Sequence, residues 1–249
     1  MAFLDRTGGK LAAGPTLLLT VDPGNALANA ARLYDPLMRS WPGRLVFGNG
    51  VLLFGPITIT PKLIAQAGLP ASAAVAWYAG VAGPRHPDEG DRADGQSLVL
   101  GLAARLGGTV HPWPPPSRPA LAASVYSERP VARDQVVRVL RPYAGEVSAE
   151  DAQDGTYGVR GRQAAFCTVY QPPGLCSAAL EPLALGSMGK RPLHHWQLNA
   201  GPQAGAADRE LRQRMAGGAL ALALAAGGMA IDMCGFRFET AEELRLVAD

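Results

Sequence analysis

Apolar positions along this chain follow two rhythms, one for strands and one for helices, and the same succession of rhythms occurs twice. In the first half Leu17–Val21 is a continuous β-like run that ends at Asp22-Pro23. Leu27, Ala31, Tyr34 and Met38 then recur at helical spacing. Arg44–Gly48 and Val51–Phe54 flank Asn49-Gly50, which predicts a hairpin closed by a two-residue type I′ turn. Ala74–Val81 is a further strand. Leu98, Leu102 and Leu106 form a helical stripe with Asp94 as its N-cap, Gly107-Gly108 ends that helix, and Thr109–His111 closes the half.

The second half repeats the order. Ala122–Ser127 is the opening strand, followed by Glu128-Arg129-Pro130 and a helix carrying Val136, Val139, Leu140 and Tyr143. Tyr157–Arg160 and Ala164–Tyr170 flank Gly161-Arg162-Gln163, and Leu193–Ala200 is a strand. A helix with Leu211 and Met215, for which Asp208 is the candidate cap, turns apolar on all sides, so its end should be deeply buried. Gly227-Gly228 stops it before the strand Met229–Met233. Trp77 and Trp196, Gly83-Pro84 and Gly201-Pro202, and the two glycine doublets all lie about 120 residues apart.

These observations predict an α+β fold made by internal duplication. Each copy reads strand–helix–strand–strand–strand–helix–strand, a ferredoxin-like unit with one added strand, its sheet mostly antiparallel and its helices on one face. The first repeat covers residues 11–112, a stiff Pro-rich linker 113–119, and the second repeat 120–239, with the halves packed as one compact unit. Disorder is expected only over Met1–Lys10 and the last few residues. In length and architecture alone, such duplication resembles the dimeric α+β barrels that bind haem, the chlorite-dismutase and dye-decolourising peroxidase groups. No proximal histidine with a carboxylate partner can be placed, so no residue is transferred and no cofactor is assigned.

Composition narrows the function classes. The 249 residues are 48% hydrophobic and 18% charged, as in folded globular chains. A net charge of +2 with no concentrated basic stripe gives no footprint for nucleic acid. Lys occurs only at Lys10, Lys62 and Lys190, a bias toward Arg expected of a high-GC bacterial genome. Three cysteines with no Cys-x-x-Cys fit a reducing, cytoplasmic compartment. Pro15 and Asp5 argue against a signal peptide at Leu11–Val21. The uncharged stretch Ala216–Ile231 falls short of the about 20 residues that a membrane span takes.

Candidate chemistry centres on His194-His195. On a strand His194, Trp196, Leu198 and Ala200 share one side, which matches a core. Leu193, His195, Gln197 and Asn199 share the other. That polar row can grip a ligand or seat His195 as a general base, although a solvated sheet face explains it more simply. Tyr78, with Ala76 and Gly80, holds the matching register in the first half. Arg160, Arg162, Lys190, Arg191, Arg209 and Arg212, with Arg214, form a candidate patch for an anion or an acidic partner, against the plainer reading of a solvated helix face.

His86, Asp88, Glu89 and Asp91 could ligate a metal but read better as a polar turn, and no metal is assigned. Gly186 to Lys190 fails the phosphate-loop pattern, because Arg191 stands where Ser or Thr should bind magnesium. Cys167 and Cys234 read as small buried hydrophobes in strands, and Cys176 as an exposed thiol. The expectation is a non-catalytic cytoplasmic binding protein of the regulatory or immunity type, with a protein or peptide partner and neither nucleic acid nor membrane. The alternative is an enzyme or small-ligand binder whose cleft between the repeats is lined by His195, Gln197, Asn199 and Tyr78.

Overall fold

The structure is a computed structural model, and it describes residues 2–81, 89–112, 122–161, 166–173, 182–186, 188, 191–200 and 209–244. The chain forms two compact units, Met1–Ser117 and Arg118–Asp249. Among the described residues there are six α-helices and two six-stranded antiparallel sheets, so the class is α+β.

Unit 1 runs α1 (Ala2–Ala13), β1 (Thr16–Leu19), α2 (Asn25–Tyr34), β2 (Arg39–Trp41), β3 (Arg44–Val46), β4 (Val51–Thr58), α3 (Pro61–Ala67), β5 (Val75–Val81), α4 (Glu89–Leu106) and β6 (Thr109–His111). Its strand order is β2-β3-β4-β5-β1-β6. Unit 2 runs β7 (Ala122–Ser127), α5 (Arg133–Ala144), β8 (Val147–Asp151), β9 (Tyr157–Gly161), β10 (Phe166–Gln171), β11 (His194–Ala200), α6 (Arg209–Ala226) and β12 (Met229–Asp232), with strand order β12-β7-β11-β10-β9-β8.

Registers match as well as orders. Leu17 pairs with Trp77 on one side and Val110 on the other, and Val125 pairs likewise with Trp196 and Ala230. Each long helix ends at a left-handed glycine, Gly107 or Gly227, and the next glycine donates its N–H back to Ala103 or Ala223 at 2.8 Å. Both tryptophans are buried, but their surroundings differ. Trp196 donates its indole N–H to Tyr157 Oη at 3.3 Å. The Trp77 ring lies on the backbone of Gly55, where a Cβ would come within 2.6 Å of it, and its buried N–H has no partner among the described residues.

In unit 2 the main core lies between one sheet face and α5 and α6: Val125, Trp196, Leu198 and Val159 meet Val136, Leu140, Met215 and Leu222. Gly217 lets the helices approach closely, since a Cβ there would meet the Tyr143 ring at 2.5 Å. The opposite face is covered at one end by the segment around Leu185 and Leu193, which buries Tyr126 and Ile231. In unit 1 the corresponding opposite face is covered by α1 and α3, whose Leu11, Leu63 and Ala67 pack on Leu18 and Ala76.

Several expectations need correction. Helices do not lie on one face in unit 1, because α1 and α3 clad the second face. Residues 2–10 belong to α1 and are not disordered; their apolar anchor, Leu11, sits just beyond them and is fully buried. α3 was not expected, although Thr60 caps it by accepting the Leu63 N–H and Pro61 opens it. Each unit also has one more strand than expected, β2 and β8. β2 is exposed throughout and so carries no alternation, whereas β8 does alternate, its Val147 and Ala149 packing on the core, but over only five residues.

The β3–β4 turn is not type I′, since only Gly50 has positive φ. Gly50 donates to the Phe47 carbonyl at 3.0 Å, making a three-residue loop with glycine at its left-handed position. Asp94 lies inside α4 and accepts from Asn49 Nδ2 at 2.9 Å, so it is not a cap. Cys234 follows β12 in a turn held by Asp232, whose Oδ1 accepts the N–H groups of Cys234 and Phe236 at 2.9 Å each. Beyond it Phe236–Phe238 returns alongside β12, with Ile231 bridged to Arg237. Asp208, the linker 113–119 and the loop 162–165 lie outside the described residues.

Candidate functional site

Alternation along β11 places His194 and Trp196 on the helix-covered face and His195, Gln197 and Asn199 on the other, as the sequence spacing predicts. The first set joins an aromatic ladder. Tyr157 stacks on Tyr170 at 4.7 Å between centroids, and Tyr170 contacts Trp196 and His194 in turn. The Tyr170 hydroxyl and His194 Nδ1 share a hydrogen bond at 2.8 Å. Burial pushes the Tyr170 hydroxyl pKa up and the His194 pKa down, so both groups stay neutral in this bond.

On the other face His195 is only 6% exposed, which excludes a solvated histidine. Its ring stacks on Tyr126 with centroids 4.6 Å apart. Gln171 is its direct cross-strand neighbour on β10, and Ser124 sits diagonally across on β7. Nδ1 donates to Gln171 Oε1 at 3.0 Å, which leaves Nε2 to accept the Ser124 hydroxyl proton at 3.1 Å. Burial lowers the His195 pKa to about 4, so the ring is neutral near pH 7.

Two residues further along the strand, Gln197 lies directly opposite Ser124 on one side and Val169 on the other. Gln197 Nε2 donates to Asn199 Oδ1 at 3.1 Å, and Asn199 faces Ala122 and Cys167. Ser124, Gln197, Asn199 and Cys167 are half-buried, and Val169 is exposed. The face therefore grades from a closed end, roofed by Leu185 and Leu193 over Tyr126, to an open end of carboxamides. The carboxamides there are uncharged and offer both donors and acceptors, and the exposed Arg160 and Glu150 stand on the same face on β9 and β8.

His195, Gln197 and Asn199, the candidates of the sequence, share this face with Ser124 and Gln171, which were not among them. Ser124 is the one hydroxyl within the apolar start of β7 and shares its side with Tyr126, which was the available signal. Gln171 becomes relevant only through strand pairing with β11. Tyr78 belongs to unit 1, where Phe54 stacks on it at 5.0 Å and Lys10 donates to its hydroxyl at 3.3 Å.

Of the basic patch, Arg191 is paired with Glu128 at 2.5 Å, Arg160 is exposed on β9, and Arg209 and Arg212 occupy the first turn of α6. Arg162 and Lys190 lie outside the described residues. A separate shallow depression of about 410 Å³ on α5 is lined by Arg133, Asp134, Val137, Arg138 and Arg141. Arg133 there is already bound to Asp151, and Arg138 to Asp134.

Among the described residues no group of three His, Cys, Asp or Glu side chains could hold a metal ion. Glu89 and Asp91 sit in the first turn of α4, while His86, Asp88 and Cys176 are outside the described residues. No described helix is long and apolar enough to cross a membrane. No protein family, curated protein or solved structure matches the chain.

Proposed function

We propose that this chain is a binding protein of the regulatory or immunity type, acting in a bacterial cytoplasm, made of two copies of one ferredoxin-like unit. The shared strand order, the shared register around Trp77 and Trp196, and the paired helix-ending glycines support the duplication. In this reading β2-β3 and β8-β9 extend the four-stranded ferredoxin-like core at one edge.

One difference between the copies carries the functional reading. The sheet face that α1 and α3 clad in unit 1 is, among the described residues, roofed in unit 2 only at the Tyr126 end, and Ser124, Gln197, Asn199 and Val169 are half-buried or exposed. A protein or peptide partner would lay main-chain amides across the carboxamides, for which an uncharged donor–acceptor row is suited. The test is affinity capture with wild type and with a Gln197→Ala/Asn199→Ala variant, followed by calorimetry on the purified partner. A partner held by wild type and weakened at least about tenfold by the variant supports the reading; equal affinity overturns it.

A second reading, a small-ligand binder or enzyme, is favoured by one observation. His195 connects a hydroxyl on β7 to a carboxamide on β10 in one continuous relay, and that relay borders the open end of the face.

A further inference from the structure

The geometry points to Ser124 as a nucleophile that accepts an acyl group from an activated ester, with His195 as its base and Gln171 as the group that orients the imidazole. The inference rests on the second reading, that this face receives a small ligand.

A weak nucleophile is activated when a base lies within hydrogen-bond reach and a third group fixes that base. Here Ser124 Oγ is 3.1 Å from His195 Nε2, and Gln171 Oε1 is 3.0 Å from Nδ1. The carboxamide oxygen holds the proton on Nδ1, so the lone pair of Nε2 faces the serine. All three side chains stand on adjacent strands of one sheet, which fixes their spacing more firmly than loops would. Stacking on Tyr126 prevents the ring from turning. The arrangement spans strands far apart in sequence, so no short motif announces it.

The open end of the face supplies the remaining part. Gln197 is the cross-strand neighbour of Ser124 and gives one amide hydrogen to Asn199, which leaves the Asn199 Nδ2 group without a partner among the described residues. Carboxamide N–H groups beside a nucleophile can stabilise the oxyanion of a tetrahedral intermediate. The substrate class follows from the base. A buried imidazole with a neutral orienting group stabilises a positive charge poorly, so the site suits acyl donors with good leaving groups, such as aryl esters.

The steps balance without a further reagent. The Ser124 Oγ–acyl bond forms as the acyl–aryloxide bond breaks. The hydroxyl proton passes to His195 Nε2 and from there to the departing aryloxide. Water, deprotonated at the same nitrogen, then attacks the acyl-serine, releases the carboxylic acid and restores the Ser124 hydroxyl. The net change is ester and water to acid and phenol.

The probe is p-nitrophenyl acetate, read by intact-protein and peptide mass spectrometry on wild type, Ser124→Ala and His195→Gln. In parallel, p-nitroacetophenone, which has a similar shape and no leaving group, is titrated while the side-chain amide signals of Gln197 and Asn199 are followed by NMR. The expected result is one acetyl group on Ser124 in wild type, none there in Ser124→Ala, and labelling at least about 100-fold slower in a folded His195→Gln. If His195→Gln does not fold, Gln171→Ala serves instead, and labelling should slow in it too. Amide shifts without acetylation of Ser124, or equal labelling rates in wild type and the folded variants, overturn the nucleophile. Absence of both shifts and adduct overturns the ligand site as well.

Discussion

Gly228 lies so close to the Tyr126 carbonyl that a Cβ on it would come within 2.1 Å of the oxygen. The end of α6 thus rests directly on the backbone of β7. Gly108 repeats the relation in unit 1, where a Cβ would meet the Leu18 carbonyl oxygen at 2.7 Å. Backbone cannot step aside as a side chain can, so Gly228→Ala should destabilise unit 2 by about 3 kcal/mol or more, and Gly108→Ala unit 1 by about 1–3 kcal/mol. Gly9, on α1 with nothing within 4 Å of an added Cβ, is the contrast. Gly9→Ala should stabilise by about 0.5–1 kcal/mol. Urea unfolding midpoints measure all three, and an unchanged midpoint for Gly228→Ala would contradict the close approach.

His195 makes stability depend on pH in a stated direction. Its folded pKa is lowered from 6.5 to about 4 by burial. In that interval the unfolded chain binds the proton and the folded chain does not, so the stabilisation is complete above about pH 6.5 and is lost as pH falls toward 4. At about 1.4 kcal/mol per pKa unit the loss is about 3 kcal/mol. His195→Gln should flatten the stability profile between pH 7 and pH 4 by that amount. Parallel profiles for variant and wild type would show that the histidine does not stay neutral in the fold.

Tyr157→Phe tests the partner of the buried Trp196 indole. The variant keeps the ring stacked on Tyr170 and removes only the oxygen that accepts the indole N–H. An unsatisfied buried donor costs about 1–3 kcal/mol, so unit 2 should lose a stability in that range. No change in thermal unfolding would mean that the indole finds another acceptor.

Asp35 joins α2 to the β3–β4 hairpin. It is buried, and its two oxygens accept the N–H groups of Leu37 and Gly48 at 2.8 Å each. Asp35→Ala removes both charge-assisted bonds and should destabilise unit 1 by about 3 kcal/mol, with amide exchange quickening first at Gly48. Hydrogen exchange at Gly48 as slow in the variant as in wild type would refute the assignment.

The parts of the fold that the sequence made legible are those written in local chemistry. Gly107 and Gly227 mark helix ends because only glycine takes the left-handed stop easily, and alternation along β11 separates Trp196 from His195 correctly. What escaped lacks such a signal. β2 is exposed at Arg39, Ser40 and Trp41, and exists through pairing with β3. α1 is anchored through Leu11 against Leu18 and Leu63, and that contact is invisible until the sheet is assembled. The site divides the same way. His195, Gln197 and Asn199 share one strand and could be read together, whereas Ser124 and Gln171 join them only through register across β7 and β10.

The short return of Phe236–Phe238 beside β12 has a bearing on how the molecule behaves when crowded. A bare outer strand is a template onto which a neighbouring chain can add itself, the first step toward fibrils. In unit 2 the chain fills that role with its own residues: Phe238 donates to the Ala230 carbonyl at 3.1 Å, Asp232 to that of Phe236 at 2.9 Å, and both phenyl rings turn inward. The far margin, β8, carries the exposed Glu150, whose charge repels a like strand, beside Asp151, which is paired with Arg133. Sheet growth in unit 2 is thus blocked at one border by hydrogen bonds already made and discouraged at the other by charge.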